Sequence, residues 1–155
     1  MVDIRKLLAY NVVERHAFFE AFVKLSWNEF VEDRGASFGS IRNIFIHSIN
    51  GPNHWLDFLQ GKPEREYKEF GKYKTLEEIG AYLKRVENRM NKYLNSISAK
   101  DLKKKYEHGE GDDKETLTVE DVLVHVFEEE IHHRGELIAL LWQMGIEPPV
   151  IGYPP

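Results

Sequence analysis

Apolar residues recur along this chain at steps of three and four in four long stretches, the pattern of helices that bury one face. The first stretch runs from Asp3 to about Leu25. It carries Ile4, Leu7, Leu8, Val12, Phe18, Phe19, Phe22 and Leu25 on a wide stripe, with Asp3 placed to cap it. Asn28 to Ser40 has no sustained period and reads as a connection. A second helix opens at Ser37 or Ser40 and reaches about Leu59, with Ile41, Ile44, Phe45, Ile49, Trp55, Leu56 and Leu59 on its apolar side. Pro52 inside it removes a backbone hydrogen bond, which predicts a kink. Gln60 to Lys74 is polar and broken by Gly61, Pro63 and Gly71. Thr75 and Glu78 form a capping box for a third helix, which continues to Leu94 or Ile97.

Ser98 to Leu117 is a long connection in which Tyr106 and Thr116–Thr118 can pair as a short hairpin, leaving His108 exposed near its tip. Thr118 and Asp121 cap the last helix, which runs to about Met144 and is ended by Gly145, with Pro148 and Pro149 beyond. The tail Pro148–Pro155 cannot be helical throughout. Trp27 and Trp142 are expected in the core rather than at an interface, since aromatic side chains dominate burial. Four long amphipathic helices with one long crossover predict an all-α four-helix bundle, a single domain over residues 1–155.

Composition narrows the function classes. The chain has 155 residues, enough for one domain with a substantial core, and its 42% hydrophobic and 30% charged content fits a globular protein. A formal charge of −5 argues against non-specific nucleic-acid binding, which needs a positive field. No cysteine is present, so disulfides, thiolate nucleophiles and cysteine-based zinc sites are excluded. No apolar run approaches the length of a membrane span, and Met1–Lys6 lacks the apolar core of a signal peptide, so a cytoplasmic location is expected.

The chemistry concentrates in the last helix, between His125 and Glu136. Glu129 and His133 stand four residues apart on one face, and His125 sits one turn before Glu129. A carboxylate and an imidazole at that spacing can point two donor atoms at one divalent cation. On a helical wheel His133 lies at the margin of the apolar arc, so it is the inward imidazole in preference to His132. Glu130 and Arg134 fall within the apolar arc, where an i,i+4 pair of opposite sign can satisfy itself, or meet a partner subunit. The second helix offers His47 and, seven residues on, His54. His16 reads as ordinary.

The whole chain resembles the DinB family of four-helix-bundle proteins. The resemblance is carried by Leu25-Ser26-Trp27-Asn28-Glu29-Phe30, by Ser40-Ile41-Arg42-Asn43-Ile44-Phe45-Ile46-His47, by Trp55 and by Ile131-His132-His133-Arg134-Gly135-Glu136. In that family the fourth helix usually reads His-x-x-x-His-Arg-Gly-Gln, and its two histidines join the second-helix histidine around one metal. Carried over by position, the resemblance implies His47, Glu129 and His133 as ligands of one divalent ion (Zn, Ni, Fe or Mn). Glu129 stands where the family has histidine and Glu136 where it has glutamine, so the implied set is two histidines and one carboxylate. His125 or His54 is a substitute ligand if the site has drifted.

The resemblance also implies an activity. Similar proteins include S-transferases and isomerases that use low-molecular-weight thiols such as bacillithiol or mycothiol. A metal- and thiol-dependent transferase acting on a small molecule is therefore expected, with His54, Asn50 and His132 as weaker candidates for substrate contact. The alternative is a non-catalytic bundle with a degenerate or purely structural site. A homodimer is expected in either case, with no nucleic-acid or membrane partner.

Overall fold

The computed structural model describes residues 3–63, 69–150 and 152. Asp3 accepts a hydrogen bond from the Arg5 amide and opens α1 (Ile4–Phe22). The stretch expected as plain connection contains a further short helix, α2 (Trp27–Val31). Its start was legible in Ser26 and Glu29, which form a reciprocal capping box, but five residues are too few to show a period. Ser40, not Ser37, caps α3 (Ile41–Leu59) by accepting from the Asn43 amide. This helix stays helical through the buried Pro52. Thr75 caps α4 (Leu76–Ser96), and the Glu78 carboxylate accepts from Lys74, one residue before the cap.

The long connection before the last helix holds an antiparallel hairpin, β1 (Lys105–His108) with β2 (Glu115–Thr118), in the register Tyr106 to Leu117. Gly109 turns the chain at φ 84°, and a Cβ there would meet the Asp113 carbonyl oxygen at 2.5 Å, so only glycine fits. Thr118 and Asp121 then make a full capping box for α5 (Val119–Gln143). Gly145, at φ 72°, closes that helix: its amide reaches the Trp142 carbonyl, and the Ile146 amide reaches Leu141.

The four long helices form an all-α bundle in which α5 packs on α3 and α1, and α4 on α3 and α1. The connection from α4 to α5 therefore crosses the bundle. Among the described residues two apolar cores fill it. One gathers Phe18, Phe22, Phe30, Ile44, Phe45 and Leu83; the other gathers Ile4, Leu8, Leu59, Leu94, Leu123 and Val126. Between them along the helices lie buried polar residues: Asn11, Glu14 and Arg15 of α1, Ser48, Asn50 and Asn53 of α3, and Glu130, His133 and Arg134 of α5.

Several expectations change here. Trp27 packs partly buried against the first core, but Trp142 is 58% exposed, because its neighbours Leu140 and Leu141 take the inward face. Glu130 and Arg134 are both buried within the chain, yet Glu130 pairs with Arg15 across the bundle. Arg134 instead reaches Asn11 and lies over the Tyr10 ring. A helical wheel sees only one helix, so it could not supply Arg15 as the partner. Val150 is exposed; residues 64–68, 151 and 153–155 lie outside the described residues, so the tail expectation is met only in part of its length. Among the described residues no helix is long and apolar enough to cross a membrane.

Candidate metal centre

α3 and α5 meet side by side, and the contact brings one α3 residue against one face of α5. His133 Nε2 lies 3.4 Å from Glu129 Oε2, and His47 Nε2 lies 4.0 Å from the same oxygen. One donor atom from each of His47, Glu129 and His133 falls within 4.8 Å of the others. Donors held tetrahedrally at about 2.0–2.2 Å from an ion are separated by roughly 3.4 Å, so this set needs only a small contraction to enclose one. Two neutral imidazoles and a carboxylate suit Zn and the later transition metals, and equally Fe(II). The residues fit the ion that the resemblance implies.

Exposure grades across the triad. The His133 side chain is 7% exposed, His47 31% and Glu129 43%, so one side of the centre is walled by protein and the other faces solvent. Glu129 turns toward both imidazoles. Burial and then the neighbouring His133 push the His47 imidazole down to about 4, with Glu129 and Glu136 acting against them. An imidazole kept neutral at pH 7 has its lone pair free for a cation.

Phe38 and Ser37 complete the site, and neither was singled out for it from the sequence. They sit on the loop between α2 and α3. The Phe38 ring stacks on His47 at 4.0 Å and meets His133 edge-on at 5.6 Å. Ser37 donates to Glu136 Oε2 at 2.8 Å, and that oxygen lies 2.9 Å from His133 Nδ1. The Glu136 carboxyl is held below its ordinary value; burial opposes this, but the His133 and Ser37 hydrogen bonds outweigh it. The sequence signals for Glu136 were its position one turn from His133 and its standing where the family has glutamine.

The remaining histidines fall elsewhere. His132 is exposed, and with His133 and Glu136 it forms a second group of close donors that shares His133 with the triad. His125 and His54, the substitute ligands, do not join the triad. Their rings lie 5.0 Å and 5.4 Å from the Trp55 ring. His108 packs on the same indole at 5.0 Å and on Phe58 at 5.3 Å, so it is held by the bundle instead of hanging free at the hairpin tip. His54, Phe58, Lys62, Glu107 and His108 line a surface hollow of about 400 Å³ beside this cluster. Asn50 is buried and accepts from the Tyr82 hydroxyl at 2.7 Å, which ties α3 to α4. His16, distant from these groups in sequence, lies 3.0 Å from Glu87.

The fold agrees with comparisons against known proteins. No curated protein matches the chain at a significant level. The crystal structure of a DinB-like protein from Bacillus subtilis, YjoA, superposes with a TM-score of 0.67 over 93% of this chain and 95% of that one, at 16% identity, which speaks for the shared fold alone. The profile of the DinB family matches residues 1–155. With that match running the whole length of an all-α bundle, the chain belongs to the DinB family.

Proposed function

We propose that this protein is a cytoplasmic metal-dependent enzyme that holds one divalent ion through His47, Glu129 and His133. The observation that carries the reading is the convergence of these three donor atoms, from two helices, within 4.8 Å of one another at a half-open face. Three protein ligands leave positions for water or substrate. An ion so held lowers the pKa of a bound water, or keeps a thiol as its thiolate. Because the chain has no cysteine, a thiol nucleophile must come from a cosubstrate, in keeping with a transferase that uses a small thiol. His47 and His133 bind through Nε2. Glu129 supplies one oxygen and leaves the other free as a hydrogen-bond acceptor. The Phe38 ring keeps water from one side of both imidazoles.

The protein acts as a homodimer in this reading. Val124, Ile131 and Trp142 are 48%, 44% and 58% exposed and share one stripe of α5, an apolar surface that a second copy would cover.

The test is metal content by elemental analysis of untagged protein, for wild type, His47→Ala, Glu129→Ala and His133→Ala. About one ion per chain in wild type, lost in all three variants, is the expected result. No uptake by wild type after incubation with Zn, Ni, Mn or Fe(II) would leave the alternative, a non-catalytic dimeric bundle. With an ion bound, transfer of a small thiol to electrophilic acceptors is the activity to screen.

A further inference from the structure

The two departures from the family pattern, Glu129 and Glu136, both touch His133 and do so at opposite nitrogens. Glu129 faces Nε2 at 3.4 Å, and Glu136 faces Nδ1 at 2.9 Å. A neutral imidazole carries one proton, and the nitrogen that carries it cannot bind a cation. An ionised carboxylate only accepts hydrogen bonds, so both carboxylates compete for the imidazole proton. Glu136, hydrogen-bonded at 2.9 Å where Glu129 stands off at 3.4 Å, draws it to Nδ1 and leaves Nε2 as the bare donor toward the triad. Glutamine at this position would meet Nδ1 with either its oxygen or its NH₂. The second of these would move the imidazole proton to Nε2 and block the ligand.

The carboxylate is itself pinned. Ser37 donates to the same Glu136 oxygen, from a loop that also stacks Phe38 on His47. That loop is closed by the Arg34 amide bonding the Gly39 carbonyl at 2.7 Å and by Asn43 bonding the Phe38 carbonyl at 2.8 Å. Gly39 holds φ 82°, and a Cβ there would press on the Asp33 carboxylate at 3.2 Å. The loop is therefore built to one shape, and that shape sets Ser37.

We propose that Ser37, Glu136 and His133 form a positioning relay that fixes His133 with Nε2 free, and that Glu136 and Glu129 together make the centre doubly anionic. The charge half rests on the metal reading above; the tautomer half does not. Two carboxylates, one binding and one behind a ligand, neutralise a dication. Glu129, as an oxygen ligand, raises the standing of oxygen-preferring ions such as Mn²⁺ relative to Zn²⁺, compared with a three-imidazole centre, and Glu136 strengthens the hold on either ion through His133. Glu136 acts through His133 and is a positioning residue.

The experiment has two readouts. Nitrogen-15 NMR of the metal-free protein, at a pH about two units above the ordinary imidazole pKa, reports the His133 tautomer. Wild type is expected as Nδ1–H alone; Glu136→Leu and, more weakly, Ser37→Ala are expected to give a mixture. Chelator competition then compares Mn²⁺ and Zn²⁺. Glu136→Leu should weaken both by about 10–100-fold, while Glu129→His, which restores a three-imidazole set, should weaken Mn²⁺ more than Zn²⁺, and His132→Ala should change neither. A single Nδ1–H tautomer in Glu136→Leu overturns the relay. An unchanged preference between the two ions in Glu129→His, or undiminished affinity in Glu136→Leu, overturns the charge assignment, and loss of metal in His132→Ala transfers the site to the second donor group and overturns both. If wild type takes up no ion but His133 is Nδ1–H and becomes mixed in Glu136→Leu, the relay stands, and the metal reading and the charge assignment fall together.

Discussion

The guanidinium of Arg15 bonds the buried carboxylate of Glu130 through one terminal nitrogen and that of Glu87, at 2.9 Å, through the other. This ties α1 to α5 and α4 at the level where the two apolar cores meet. Burial raises the Glu130 carboxyl, while Arg15 and then Arg134 act to keep it ionised. Removing one member of a buried pair strands the other, which costs about 3–5 kcal/mol, whereas replacing both by apolar groups is far milder. Arg15→Met alone should therefore lower the stability of the metal-free protein severely. Arg15→Met with Glu130→Leu should recover much of the loss, a non-additivity read from denaturant midpoints of the two singles and the double.

Metal should also stabilise the fold. An ion that binds only the native state at a hundred times its Kd adds about 2.7 kcal/mol. Thermal unfolding of wild type with and without excess ion should show a higher midpoint with ion. The shift should vanish in His47→Ala, although His47 contributes to neither apolar core.

What could be read ahead of the structure follows the range of each interaction. Caps and stops are local, so Asp3, Thr75, Thr118 and Gly145 announced four helix ends correctly. The stripe of α5 placed His133 inward and His132 outward for the same reason. The Arg15 partner of Glu130 and the Trp55 partner of His125 come from other helices, and periodicity within one helix has no term for them. The Phe38 stack depends on a loop whose path is set by backbone bonds and left-handed glycines. His47, Glu129 and His133 were grouped in advance through the family resemblance and not through spacing, since no local rule links α3 to α5.

The cap of α5 makes a pH-dependent prediction. The Thr118 side chain, then the Thr118 amide, hold the Asp121 carboxyl below its ordinary value. A depressed folded-state pKa means stability that is fully present above the unfolded value, about 3.9, and is lost as pH falls through the folded value. The difference in denaturant midpoint between wild type and Asp121→Ala should hold steady from pH 7 to about pH 5 and shrink below about pH 4. Thr118→Ala, which removes the hydroxyl that caps the helix, should cost about 1 kcal/mol at neutral pH.

Gly109 offers a test of the hairpin's role in holding His108. An alanine there must adopt φ 84° and place its Cβ 2.5 Å from the Asp113 carbonyl oxygen, so the turn has to open. The cost is of the order of 1–3 kcal/mol if the hairpin stays closed, and less if it frays at the tip. Fraying at Gly109 would draw His108 off Trp55 and Phe58, from ring separations of 5.0 Å and 5.3 Å, while the α5 cap at Thr118 keeps the other end of the hairpin fixed. Gly109→Ala should therefore show faster amide exchange over β1 and β2 with unchanged exchange in α3 and α5. A His108→Ala variant, which leaves the turn intact, should expose the Trp55 indole without altering exchange at Gly109. If Gly109→Ala left exchange in the hairpin unchanged, the turn would not be what fixes His108 against the bundle.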